Sequence, residues 1–293
     1  RKASANLPWE GDDHIPEGDP RAWATLAPSA VAFGANLPRV PQAMGEGDIA
    51  RVCRDFAAAA RRAREAGFEW LELHFAHGYL GQSFFSAHAN WRTDAYGGDF
   101  AGRSRFLLET LAAVRREWPD NLPLTARFGV IEYDGRDEET LAESIQLARA
   151  FRRGGLDLLS VSVGFTIPDS RIPWGSAFLA PVAGRVRRES GLPVASSWGI
   201  DAPATADRVL ADGLMDLVMV GRAHLAAVAL ETGKLATLIS DTRSQMKGKP
   251  GAAKQVCWSE SLSLDQVKIV GKRHAATVND VLCGAISGAL RDY

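Results

Sequence analysis

Two hydrophobic rhythms alternate along most of this chain. Residues 48–66, DIARVCRDFAAAARRAREA, place Ile49, Val52, Phe56, Ala59, Ala60 and Ala63 at three- and four-residue spacing, which predicts an amphipathic helix. Asp48 is a good N-cap for it and Gly67 a good C-terminal stop. The run FEWLELHF (68–75) then reads as a strand. The same unit recurs: helix 103–118 and strand 122–130, helix 137–155 and strand 156–164, helix 179–191 and strand 192–199, helix 204–213 and strand 214–221. The strands are short, apolar and flanked by helices, as in a parallel sheet covered on both faces.

Five such strands point to an α/β fold. A doubly wound sheet and a (β/α)8 barrel both fit the alternation. No G-x-G-x-x-G follows a strand, which removes the dinucleotide-binding signature of the first. In a barrel, chemistry gathers at the C-terminal ends of the strands. Those ends carry His74 and His77, Arg127, Ser162, Trp198, and Gly221 with Arg222. Polar or large residues at every strand end favour the barrel, although a closed one needs eight strands and only five are legible.

Composition adds mostly exclusions. The chain has 293 residues and a formal net charge of -1, so no global field draws it to nucleic acid or an acidic membrane. Cys53, Cys257 and Cys283 are scattered, with no C-x-x-C pair, so neither a zinc knuckle nor a disulfide framework is suggested. No apolar run is long enough to span a bilayer and no signal peptide is recognisable, so a cytoplasmic protein is expected. The opening RKASANLPWEGDD lacks a methionine and reads as the interior of a longer chain. From residue 233 onward nine Lys/Arg face five Asp/Glu, a basic tail on an otherwise acidic chain.

Four places could carry chemistry. SSWGI and VGRAHL follow the last two strands, where barrels often bind phosphate beside a helix N-terminus. Gly199 and Gly221 would let backbone N–H groups approach an anion, and Arg222 could grip it; equally, both glycines could simply end strands. Arg127 lies inside the apolar strand LTARFGV, either in a structural ion pair or aimed at an anionic ligand. His74 and His77 form H-x-x-H, but the other histidines (14, 88, 224, 274) have no ligand-like spacing, which disfavours a metal. Two imidazole N–H groups could instead clamp one carbonyl oxygen as it becomes an enolate, with Tyr79 beside them to deliver a proton; one or both histidines could also be satisfied core residues.

From residue 1 to about 226 the sequence resembles the Old Yellow Enzyme family of FMN-dependent ene-reductases, most closely its xenobiotic reductase branch. The segments that carry the likeness are RKASAN, ELHFAHGYLGQSFFS, NWRTDAYGGDFAGRSRF, LTARFGV, SVSVGFTIPD, ASSWG and VMVGRAHL. The resemblance implies a (β/α)8 TIM barrel with FMN across its mouth, reduced by NADPH or NADH and passing hydride to an activated alkene such as an α,β-unsaturated carbonyl. It implies that His74 and His77 bind the carbonyl oxygen, Tyr79 gives the proton, Arg127 lies at the flavin's pyrimidine edge, and Gly199, Gly221 and Arg222 hold its phosphate. Trp198 falls where that branch places an aromatic wall. Asn90, Arg92, Asp94, Tyr96, Gly97, Gly98 and Arg103 match a loop signature read as structural; Trp91 and Gly102 replace its more usual polar residues.

Against that family the first three strands are missing. Two sheet edges are then left open, FMN binding by this chain alone is expected to be weak or absent, and a homo-oligomer or a strand-donating partner is a natural complement. After a junction at 227–232, residues 233–293 resemble a fragment of the bacterial wax ester synthase/diacylglycerol acyltransferases, mostly helical. They lack that family's H-H-x-x-x-D-G motif, so acyl transfer would have no base; an acyl-CoA-dependent acyltransferase fragment and a non-catalytic truncated fusion are the alternative readings. Asn279 and Asp280 match its N-D element, while Thr277 can equally cap a helix with Asp280 in its first turn.

Overall fold

The computed structural model describes residues 2–6, 11 and 13–221; residues 222–293, and with them Arg222, the junction and the acyltransferase-like segment, lie outside the described residues. Two short strands open the fold, β1 (Leu26–Ala27) and β2 (Gln42–Ala43), paired in parallel. Helix α1 (Glu46–Glu65) begins two residues earlier than its apolar pattern suggests. Asp48 is therefore not the N-cap. Gly45 caps the helix, and the Asp48 carboxylate sits one turn in and accepts the Gly45 N–H at 3.2 Å. From there its charge also complements the helix N-terminus.

Strand β3 (Leu71–Phe75) is shorter than the apolar run that contains it. Gly67, at φ +85°, turns the chain out of α1, and Phe68 donates its N–H back to Ala63, so Phe68 and Trp70 belong to the connection and stay exposed. A short helix α2 (Leu80–Phe85) follows, then α3 (Phe100–Arg115), which Asp99 caps by accepting the Gly102 N–H at 2.9 Å. The remaining units are β4 (Leu124–Ile131), α4 (Asp137–Arg153), β5 (Leu158–Val163), α5 (Ala180–Ser190), β6 (Val194–Ser196), α6 (Pro203–Ala211) and β7 (Leu217–Val218).

β3 to β7 form one parallel sheet in the order β3-β4-β5-β6-β7. Each crossover moves the chain one strand onward and never reverses. That winding belongs to a (β/α)8 barrel and not to a doubly wound sheet, whose order reverses at a switch point. Among the described residues the sheet holds five strands, with β3 and β7 outermost.

Register sorts the side chains between two faces. Leu73, Ala126 and Leu159 lie side by side, as do Phe75, Phe128 and Val161. This face meets the helices. The Phe75 ring lies 6.1 Å from both Phe56 of α1 and Phe151 of α4, and Phe128 lies 5.1 Å from Phe85 of α2. The opposite face carries Glu72, His74, Thr125, Arg127, Ser160 and Ser162, an inner surface of polar groups. β4 and β5 are buried along nearly their whole length, whereas edge strand β7 is not.

These two environments make opposite forecasts for two phenylalanines. Phe75→Ala empties a site with no solvent exposure and should cost about 3–5 kcal/mol. Phe68→Ser, at a residue 62% exposed, should stay within about 0.5 kcal/mol. Urea denaturation midpoints measure both, provided the slope of the transition is unchanged.

Candidate active site

The candidate site is built on the turn that leaves β3. Residues 76–79 reverse the chain within one turn, with Tyr79 donating its N–H to the Ala76 carbonyl at 3.3 Å. His77 and Gly78 are both left-handed, at φ +63° and +70°. A side chain at 78 would meet the Phe165 carbonyl oxygen at 2.3 Å, so that position requires glycine. His77 has no such excuse, and its strained backbone is held from two sides. Lys2 donates its ammonium to the His77 carbonyl at 3.1 Å, and the Ser83 hydroxyl donates to the Gly78 carbonyl at 3.0 Å.

The turn brings the sequence's candidates together. His74 and His77 meet edge-to-face with ring centroids 5.1 Å apart, and Tyr79 lies 5.7 Å from His74. Trp198, arriving after β6, is 6.1 Å from His77 and sits in an aromatic group with Phe165, Trp174 and Phe178. Arg127 lies beside His74 across the β3–β4 register. It is no partner in a salt bridge among the described residues. One of its terminal N–H groups donates to Ser197 at 3.0 Å, while its buried Nε finds no hydrogen-bond partner.

The two glycines differ. Gly199 is left-handed at φ +69°, and a Cβ there would lie 2.1 Å from the Gly175 carbonyl oxygen. What approaches Gly199 closely is thus the protein's own 175–177 turn, joined to it by the Ala177 N–H donating to the Gly199 carbonyl. Gly221 lies exposed beyond β7, and among the described residues no atom comes within 4 Å of where a Cβ would go. The signature loop is a structural brace. The Asn90 amide donates to the carbonyls of Phe84 and Tyr96, Arg92 to that of Pro28, and Arg103 to those of Gly98 and Phe85 and to the Glu143 carboxylate. Gly102 is required locally: a Cβ there would meet the Gly97 carbonyl oxygen at 2.0 Å.

Three neighbours were not singled out for a role by the sequence. Ser162 is visible only as a strand end, yet it hydrogen-bonds both His77 and Trp198. Lys2 reaches the turn across 75 residues of chain. Phe165 lies against His77 at 5.8 Å. The alternation of serines in SVSVG was the available signal for the first; nothing local marks the other two. No helix among the described residues is long and apolar enough to cross a membrane. Among them, too, no group of three or more His, Cys, Asp or Glu side chains is gathered to hold a metal.

Electrostatically the site is cationic and its histidines neutral. Burial lowers the pKa of His74, with Arg127 adding to it. His77 is pushed down to about 4 by burial, then by Arg127, His74 and Lys2. Burial raises Glu72, against the pull of Arg127. An unfolded histidine titrates near 6.5, so between about 4 and 6.5 the unfolded chain binds the additional proton. His77 therefore weakens the fold as pH falls through that window and contributes no slope above it. Urea midpoints followed from neutral pH down to about 4 should fall less steeply in His77→Gln than in the wild type.

Comparison with known proteins places these features. Residues 7–236 match the NADH:flavin oxidoreductase / NADH oxidase family. An NADH:flavin oxidoreductase of Gibberella zeae is 36% identical over 237 residues, covering 76% of this chain and 57% of its own length. An NADPH dehydrogenase of Geobacillus thermodenitrificans is 37% identical over 197 residues, covering 67% and 56%. The chain thus spans just over half the length of these curated relatives. Among solved structures, morphinone reductase in complex with tetrahydroNAD superposes with a TM-score of 0.58 at 25% identity, over 76% of this chain and 62% of the other. An Old Yellow Enzyme homologue from Zymomonas mobilis gives 0.57 at 22% identity, over 72% and 62%, a likeness of fold. FMN and NAD(P)H are the cofactors that go with this kinship. By the extent of the family match and the identity to its relatives, the chain belongs to the NADH:flavin oxidoreductase / NADH oxidase family.

Proposed function

We propose that this chain carries the substrate-binding part of an FMN-dependent ene-reductase, which takes reducing equivalents from NADPH or NADH and reduces activated alkenes such as α,β-unsaturated carbonyls. One observation carries the proposal: His74, His77 and Tyr79 converge at the end of β3 beside Arg127 and Trp198.

The residues present fit a flavin. The Arg127 guanidinium has a buried N–H without a partner, on an inner face lined by hydroxyls, which suits the anionic edge of a flavin ring. Gly221 follows β7 with Arg222 next in sequence, and Gly199 lies ahead of the N-terminus of α6, a glycine–cation placement that suits a phosphate. FMN held there would supply the hydride. His74 and His77, neutral at physiological pH, donate N–H groups to the carbonyl oxygen, where negative charge grows as the alkene is reduced. Neutral rings serve this role without handing over a proton of their own. Tyr79 is 44% exposed and hydroxyl-bearing, and it delivers a proton to the substrate carbon beside the carbonyl. Trp198 forms the wall that orients the alkene. Lys2 and the Ser83 hydroxyl keep the His77 turn in its strained form.

In this reading a second copy or a strand-donating partner pairs with the outermost described strands, β3 and β7. The acyltransferase-like reading of residues 233–293 adds no step here.

The test is alkene-dependent NAD(P)H oxidation by the full chain in saturating FMN. The double variant His74→Ala, His77→Ala should lose about 10²–10³-fold in kcat, the cost of removing donors to a developing oxyanion. Activity unchanged in that variant would sink the assigned clamp.

A further inference from the structure

The Ser162 hydroxyl stands at the centre of the site and touches two of its rings. Its oxygen lies 2.8 Å from Nε2 of His77 and 2.9 Å from Nε1 of Trp198. The residue has no solvent exposure, so its single proton must be placed within the protein. An indole nitrogen only donates, so one lone pair of Ser162 receives the Trp198 N–H. Two arrangements remain. If Nε2 of His77 carried a proton, Ser162 would accept from both rings and its own O–H would be buried without an acceptor. If Nε2 is bare, the Ser162 O–H donates to it and all three groups are satisfied. A neutral imidazole with a bare Nε2 carries its proton on Nδ1.

The surroundings agree. Arg127, His74 and Lys2 face His77 from β4, β3 and the N-terminal segment, and none is an acid that would stabilise a charged ring. Ser162 is set in β5, whose every residue is buried, so the acceptor geometry rests on a rigid strand.

We propose that Ser162 is a positioning residue of this site: its hydroxyl donates to Nε2 of His77, holds that ring as the Nδ1–H tautomer, and anchors the Trp198 indole on the same oxygen. His77 then has one N–H to offer a substrate oxygen, and it is Nδ1–H. The consequence for substrate binding rests on the ene-reductase reading; the tautomer itself does not.

The test is therefore made on the flavin-free full chain. Histidine is labelled with nitrogen-15, and two-bond proton–nitrogen correlation spectra report which ring nitrogen is protonated. The His77 signals are identified by their loss in His77→Gln. The wild type should show a bare Nε2 and a protonated Nδ1. Ser162→Ala should shift the ring toward the Nε2–H form, while Ser162→Thr, which keeps the hydroxyl, should restore the wild-type pattern. A protonated Nε2 in the wild type, or an unchanged tautomer in Ser162→Ala, overturns the proposal. Should Ser162→Ala fail to fold, the wild-type spectrum decides alone. Failure of the ene-reductase reading shows separately, as absent alkene-dependent NAD(P)H oxidation, and leaves these spectra untouched.

Discussion

The fold and the site both depend on the register of β3 against β4 and of β4 against β5. With Leu73 beside Ala126 and Leu159, every second residue of three strands meets the helices. The residues between them, His74, Arg127 and Ser160, then lie in a row on the inner face. A slip of one residue would turn Arg127 into the phenylalanine cluster of Phe75, Phe128 and Phe151 and present those rings to the inner face. The penalty for such a slip is large on both sides of the sheet, so the same packing that stabilises the core also fixes the site's first row. This is why a cation can sit in a strand as apolar as LTARFGV: its flanking residues are buried outward while Arg127 itself points to polar company.

That row sets the electrostatics. Arg127 is fixed and always charged, and its field falls on two half-buried imidazoles. Burial and the arginine act in the same direction on both rings, so neutrality is doubly determined. Glu72, also on the inner face, is pulled in opposite directions by burial and by Arg127. The resulting site holds fixed positive charge with neutral hydrogen-bond donors around it, a setting matched to a ligand that is anionic or becomes so.

Much of this was legible in the sequence, and what escaped has identifiable causes. The alternation of helix and strand from α1 to β7 follows from residue spacing, because the central strands β4, β5 and β6 are buried and the long helices have one apolar face. The start of β3 was misplaced because Phe68 and Trp70 are as apolar as a strand, yet the chain needs those residues to leave α1. Helix α2 escaped because six residues, LGQSFF, are too few to display a period, and five of them are buried. Asp48 looked like a cap because acids favour both the cap and the third helical position, and only the backbone tells them apart. In the site, His74, His77 and Tyr79 are neighbours in sequence, and Arg127 and Trp198 stand at strand ends, so all five were within reach. Lys2 was not, since nothing in a sequence announces that an ammonium 75 residues away will cap a carbonyl.

Val130 interrupts the regular pairing. Between Gly129 and Ile131, β4 advances two residues while β5 advances one, which leaves Val130 as the extra residue of a bulge. The side chain of Gln82 pairs with the backbone of the residue before it: its Nε2 donates to the Gly129 carbonyl and its Oε1 accepts the Gly129 N–H, both at 2.9 Å. A carboxamide has the same donor and acceptor as a peptide unit, so α2 contributes what amounts to one residue of an extra strand. That carboxamide belongs to the helix that directly follows the His77 turn. The register shift of β4 and the turn that carries His77 are thus tied together through a single amide.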